Sequence, residues 1–214
     1  MKRRQVLIAA FAVVVVAGGA LFYRFGTNHV DLRGIAFDVP LGWNVNTNMP
    51  ATTGPGQELA VIGTAPDACG WDDYNCRYQE RLSRHEIQID VSIGGMLSDG
   101  FCQFAKDRPD LAPRTDGVRV TETHYVRIDG RPSITVAYDI DNTEYRPADG
   151  QRQWMISAKD SVGAWYSIFA QWRGPGDADF IADLDRMVGS IKLGPSGYAV
   201  AGGADCGDPF PPAS

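Results

Sequence analysis

From Val6 to Phe22 the chain reads VLIAAFAVVVVAGGALF, without a charge, between Lys2-Arg3-Arg4 on one side and Tyr23-Arg24 on the other. A backbone in hydrocarbon must bond to itself, so a spanning helix needs roughly 17 to 25 predominantly apolar residues. This run reaches the short end of that range. The basic cluster ahead of it keeps the N-terminus in the cytoplasm and sends the rest across. Residues 1–24 are therefore expected to be a basic cytoplasmic segment and transmembrane anchor, single-pass in a bacterial inner membrane, with a periplasmic or otherwise extracytoplasmic domain behind it. A cleavable signal is the rival reading, with Ala17-Gly18-Gly19-Ala20 as its small-residue site. Against it, the run is longer than the roughly 7 to 15 apolar residues of such a core, and Leu21-Phe22-Tyr23 prolongs it. Arg3-Arg4 matches a twin-arginine signal poorly, and no cysteine follows the run to carry a lipid.

Beyond Arg24 the apolar positions change to a period of two. Ile35, Phe37 and Val39 alternate with polar residues and predict a strand over Leu32–Val39, with Pro40-Leu41-Gly42 as a turn and Trp43–Asn46 returning as its hairpin partner. Glu58–Gly63 is a short apolar strand. His85–Ile93 alternates through Ile87, Ile89, Val91 and Ile93, the strongest strand pattern in the chain. Leu97, Phe101, Phe104 and Ala105 fall at helical spacing and predict a helix over Met96–Lys106. Four strands follow, over 118–128, 133–141, 151–159 and 163–172, as an antiparallel meander whose first turn is Asp129-Gly130. Along the second, Ile134, Val136, Tyr138 and Ile140 share a face. Phe180, Ile181, Leu184, Met187 and Val188 then make one stripe of a helix over Asp177–Gly189, expected to lie across the sheet on that face. Ser190–Leu193 leaves it extended, and 194–214, rich in Gly and Pro, reads as a tail held only by Cys206.

Charge sharpens the picture. Four of the 20 Lys and Arg lie in residues 1–24 with no acid, which leaves 16 bases against 26 acids, about −10, for residues 25–214. Such a domain repels phosphate backbones and lacks a basic stripe, so nucleic acid is excluded as a partner. Cys69, Cys76, Cys102 and Cys206 all lie beyond the apolar run, an even number in a compartment where disulfides persist. Four cysteines allow three connectivities. Cys69–Cys76 as a local staple and Cys102–Cys206 as a clamp on the tail are favoured, and a long-range bridge of the second kind is worth about 2 to 4 kcal/mol. No pair has CxxC spacing for zinc.

An opening strand ending in Asp38-Val39-Pro40-Leu41-Gly42-Trp43, a central Asp129-Gly130-Arg131-Pro132 hairpin and a late helix running into Ser190-Ile191-Lys192-Leu193 together resemble the PsbP-like superfamily, including exported bacterial relatives similar to DcrB and the mycobacterial LpqN lipoproteins. The resemblance spans about residues 32–193. It implies an α+β fold, an antiparallel sheet flanked by helices in an α/β/α sandwich, for a domain over 25–193. It also implies binding to other proteins or help in assembling complexes, not catalysis, and it carries no site residue to transfer. The chain departs from the pattern in having no lipobox and in its cysteine-bearing loop and tail.

Catalytic motifs are hard to find. No GxSxG occurs, and Gly194-Pro195-Ser196-Gly197 reads as a turn. His85-Glu86 lacks the second histidine of HExxH. Glu122 and His124, two apart on a strand, share a face and suit a general base, although a strand-surface pair is the commoner outcome. Asp139, Asp141 and Glu144 offer oxygen ligands without the glycine and spacing of a calcium loop. No cofactor is expected. Trp71 and Tyr74, beside Asp72 and Asp73 within the Cys69–Cys76 loop, are the candidate partner-binding residues. Aromatics dominate interface hot spots, a closed loop loses little entropy on binding, and the two acids select a basic partner. The competing reading has Trp71 folded over the core as a lid. The expectation is an anchored extracytoplasmic protein-binding domain, acting as an assembly factor or as an inhibitor or immunity protein against an envelope-targeted toxin. The alternative is a small-ligand carrier or sensor lined by residues such as Phe101, Trp154 and Phe180. An enzyme ranks third.

Overall fold

The computed structural model describes residues 26–49, 56–64, 86–94, 118–140, 150–158, 164–173 and 178–197. The apolar run and the helix expected over Met96–Lys106 lie outside them, and among the described residues no helix is long and apolar enough to cross a membrane. These residues form mostly antiparallel sheets with one helix.

β1 (Thr27–Leu32) and β2 (Ile35–Pro40) are an antiparallel pair, and β10 (Lys192–Leu193) lies on the other side of β2. One strand over Leu32–Val39 was expected, but Leu32 closes β1 and Arg33-Gly34 is the turn. β1 is an edge strand with only Val30 buried, so it carries no apolar alternation from which to read it. Nor does the next segment fold back as a hairpin. β3 (Asn44–Asn46) pairs with β4 (Gly56–Gly63) in a second sheet, because β1 and β10 already occupy both edges of β2. Pro40-Leu41-Gly42 is thus a corner between sheets.

The second sheet has seven strands in the order β3-β4-β5-β9-β8-β7-β6. β5 (Glu86–Gly94) buries Ile87, Ile89, Val91 and Ile93 in strict alternation, as its pattern predicts. β6 (Val118–Ile128), β7 (Arg131–Ile140), β8 (Gly150–Ser157) and β9 (Trp165–Arg173) form the expected meander, and β9 returns beside β5. In the β6–β7 turn Asp129 and Gly130 have φ of 46° and 77°. Both positive, these are the values of the tight hairpin turn that Asp-Gly favours.

α1 (Ala178–Gly189) buries Leu184, Met187 and Val188, while Phe180 meets Trp43 edge to face at 6.4 Å between ring centroids. These residues share one core with Ile35, Phe37 and Val39 of β2 and with Trp154, Ile156, Tyr166 and Ile168 of the large sheet. The helix does not cover the face of Ile134 and Val136. Those two pair with Met155 and Gln153, alternating with the Trp154 and Ile156 that enter the α1 core. β7 turns Ser133, Thr135 and Ala137 toward the helix side. Alternation says which residues share a face and is silent on which face meets the helix. Ile134, Val136 and Met155 are nevertheless buried, so the sheet is apolar on both sides.

Gly34, at φ 74°, combines a left-handed backbone with a close approach: an added Cβ would stand 2.6 Å from Ser196 Cα and 2.8 Å from Ser196 N. Gly34→Ala is expected to lower stability by about 1 to 3 kcal/mol, from strained backbone and a contact that cannot yield. Chemical denaturation should show this, together with faster amide exchange at Gly194.

Candidate functional site

Residues of the three quoted motifs tie separate elements together. Ser190 Oγ accepts from Asp38 N at 2.8 Å and donates to Met187 O at 2.6 Å, fixing the end of α1 to β2. Leu193 N, on the open side of β10, donates to Asp129 Oδ2 at 2.9 Å, with Lys192 Nζ 3.7 Å from the other carboxylate oxygen. Arg131 donates to Ser157 Oγ at 3.0 Å and Ala158 O at 2.8 Å. Asp129 therefore satisfies a strand-edge donor that would otherwise need water. These motif residues brace one element against another, although the Asp38 carboxylate and Lys192 remain exposed.

A second junction lies at the β1–β2 turn. Arg33 donates from Nε to Ser196 O and from Nη2 to Gly197 O, both at 2.9 Å, and from Nη1 to Gln57 Oε1 at 3.1 Å. Tyr166 Oη donates to Arg33 O, and Gly194 N to Gly34 O, each at 2.9 Å. The expected tail held only by Cys206 is corrected here, since residues 194–197 are bound to the turn and Ser196 is buried.

Two acid–histidine pairs are exposed. His29 Nδ1 is 2.9 Å from Asp38 Oδ1, directly across β1 and β2, and Glu122 Oε2 is 3.3 Å from His124 Nε2 on β6. Asp38 and Ser190 also border a small cleft of about 90 Å³ with the paired Asp183 and Arg186. Ser190 is no nucleophile, since its proton is given to Met187 O and its oxygen receives Asp38 N–H. Among the described residues no three His, Cys, Asp or Glu come together as metal ligands; Asp141 and Glu144 lie outside them. Trp154 and Phe180 are packed into the core.

The feature that reaches outward is β6. It ends the large sheet and, among the described residues, pairs with β7 alone. A bulge interrupts its register between Val120 and Glu122, after which pairing is unbroken through Ile128. Glu122, His124 and Val126 stand exposed on the helix side, and Val126 is the one exposed large hydrophobic among the described residues. The sequence singled out Glu122 and His124 as a charged pair. Their place on an edge depends on strand order, which no local pattern records.

Trp71, Asp72, Asp73 and Tyr74 and all four cysteines lie outside the described residues. Their flanks are defined. Thr64 N donates to Ile87 O and Ile87 N to Thr64 Oγ1, both at 3.1 Å, closing one end of the β4–β5 hairpin. At the other end Gly56 faces Gly94, and neighbouring Gln57 is joined through Arg33 to Gly197. Cys69 and Cys76 thus belong to the segment between Thr64 and Glu86, while Cys102 follows Gly94 and Cys206 follows Gly197.

No protein-family model and no curated protein matches the chain. Among solved structures it is similar to the cyanobacterial PsbP (CyanoP) of Synechocystis sp. PCC 6803, at 14% identity and a TM-score of 0.46 over 78% of this chain and 92% of that one. It is similar also to LpqN, involved in cell envelope biogenesis of Mycobacterium tuberculosis, at 15% identity and 0.46 over 78% and 90%. A third is the T6SS immunity protein TplEi of Pseudomonas aeruginosa, at 10% identity and 0.40 over 81% and 99%.

The brace and the flanks each yield an expectation. Asp129→Ala strands the Leu193 N–H and is expected to cost about 1 to 2 kcal/mol, against less than about 0.5 for Glu122→Ala on the open edge, as paired denaturation curves will show. Peptide mapping without reduction is expected to find Cys69–Cys76 and Cys102–Cys206, each joining segments that leave the same end of the β4–β5 hairpin. A Cys76–Cys102 peptide would overturn that pairing.

Proposed function

We propose that this chain is a membrane-anchored extracytoplasmic domain that binds a protein and performs no catalysis, acting as an assembly factor or as an inhibitor of an envelope-targeted toxin. The observation that carries the reading is the exposed surface of β6, where Glu122, His124 and Val126 stand on one face and Val126 is the one exposed large hydrophobic among the described residues. The occupant is a segment of the partner laid against that face. The apolar contact at Val126 supplies affinity, and the groups opposite Glu122 and His124 supply selection. A basic partner fits an exported chain of 16 bases and 26 acids. Trp71, Asp72, Asp73 and Tyr74 are a second proposed contact. The anchor at Val6–Phe22 belongs to the same proposal, as does the full α/β/α sandwich. Ile134, Val136 and Met155 support the sandwich by being buried on the face away from α1.

The test is binding of a captured partner, purified and identified, to two variants of the oxidised 25–214 domain. Glu122→Lys/Val126→Lys places two like charges on the edge and is expected to weaken binding at least about tenfold, the scale of 1.4 kcal/mol, with the melting temperature nearly unchanged. Trp71→Ala/Tyr74→Ala reports on the loop. Loss with the loop variant alone would move the site off β6. A reproducible small molecule with no protein partner would replace the reading with the carrier alternative.

A further inference from the structure

Gly26, where the described chain begins, is four residues past Phe22, the last residue of the apolar run. Four extended residues reach at most about 14 Å. Gly26 is not at a loose end: its carbonyl accepts from Leu41 N at 3.0 Å, and Thr27 next to it lies opposite Pro40. The corner Pro40-Leu41-Gly42 is therefore tethered as closely as Gly26. The chain continues from that corner into Asn44, which faces Gly63, and Gly63 leads into Thr64 and its bonds to Ile87. Gly26, the corner, Asn44 and Thr64 make one end of the domain. The Arg33-Gly34 turn, Gln57 and Gly197 make the other, the length of β1 away, about 17 Å.

Resting on the anchor reading above, we infer that the domain stands end-on at the bilayer, with the Pro40–Asn44 corner toward the lipid headgroups and the Arg33-Gly34 turn facing away. The corner itself is compatible with this: positions 39 to 49 carry no charge, in an exported chain of 16 bases and 26 acids, and Asp38 at their border is paired with His29 at 2.9 Å. Anionic headgroups repel acidic protein surface within a Debye length, about 8 Å at physiological salt. The uncharged corner is the surface that approaches them at least cost. A protein met at this end is therefore one embedded in, or lying on, the same membrane, and the Arg33 end is presented to partners arriving from solution.

The full chain, residues 1–214, is placed in vesicles of phosphatidylethanolamine and phosphatidylglycerol that carry a headgroup quencher. A fluorescent unnatural residue replaces Asn28 or Asn44 at one end, or Pro195 at the other, all three exposed. Either near-end label suffices should the other disturb folding. Quenching several-fold stronger at Asn28 and Asn44 than at Pro195 is expected. Equal quenching, or stronger quenching at Pro195, in a chain that floats with the vesicles overturns the orientation and leaves the anchor standing. A chain that does not float removes the anchor, and the orientation with it.

Discussion

The Arg33-Gly34 turn is the constraint on which the two sheets depend. Its backbone accepts Tyr166 Oη from β9 and Gly194 N from the segment after β10, while the Arg33 guanidinium holds Ser196, Gly197 and Gln57. A small three-stranded sheet has little apolar area with which to hold itself against a larger neighbour. Here the apolar contribution comes from Ile35, Phe37 and Val39 entering the common core, and this polar knot, with the Leu193–Asp129 bond, fixes the register between sheets. Only a residue without a Cβ admits the Ser196 backbone so closely, which makes Gly34 a matter of space as well as of φ.

Two further bonds tie segments distant in sequence. Ser190 holds Asp38 of β2, and Asp129 of the β6–β7 turn holds Leu193 of β10. These bonds need no ligand to explain them, because each joins one element of the fold to another. Among the described residues, Glu122, His124 and Val126 of β6 stand exposed away from these bonds.

Much of the large sheet was legible. β5 through β9 and α1 carry period-two or helical apolar patterns because each buries one face, and burial is what writes a pattern into sequence. β1 and β3 were not legible as they stand. Thr27–Leu32 buries one residue, and Asn44–Asn46 is three residues long with its partner decided by which edges remain open. The face covered by α1 was misread for a related reason, since Ser133 and Thr135 show that a strand's polar side can be the one turned to the helix side of the sheet. Of the candidate sites, Glu122 and His124 were visible as a pair and invisible as an edge, while Trp71–Tyr74 rest on composition within a short cysteine-bounded loop.

Anchoring changes what an acidic binding domain can do. A soluble domain searches three dimensions, whereas the proposed anchor, ending four residues before Gly26, would hold the domain at a fixed height. The effective concentration toward anything in the same membrane would then be set by that tether, so modest contacts on a single face would suffice where both partners are held to one surface. A small exposed site suits that proposal, since discrimination would come from the tether together with a few side chains such as Glu122 and Val126.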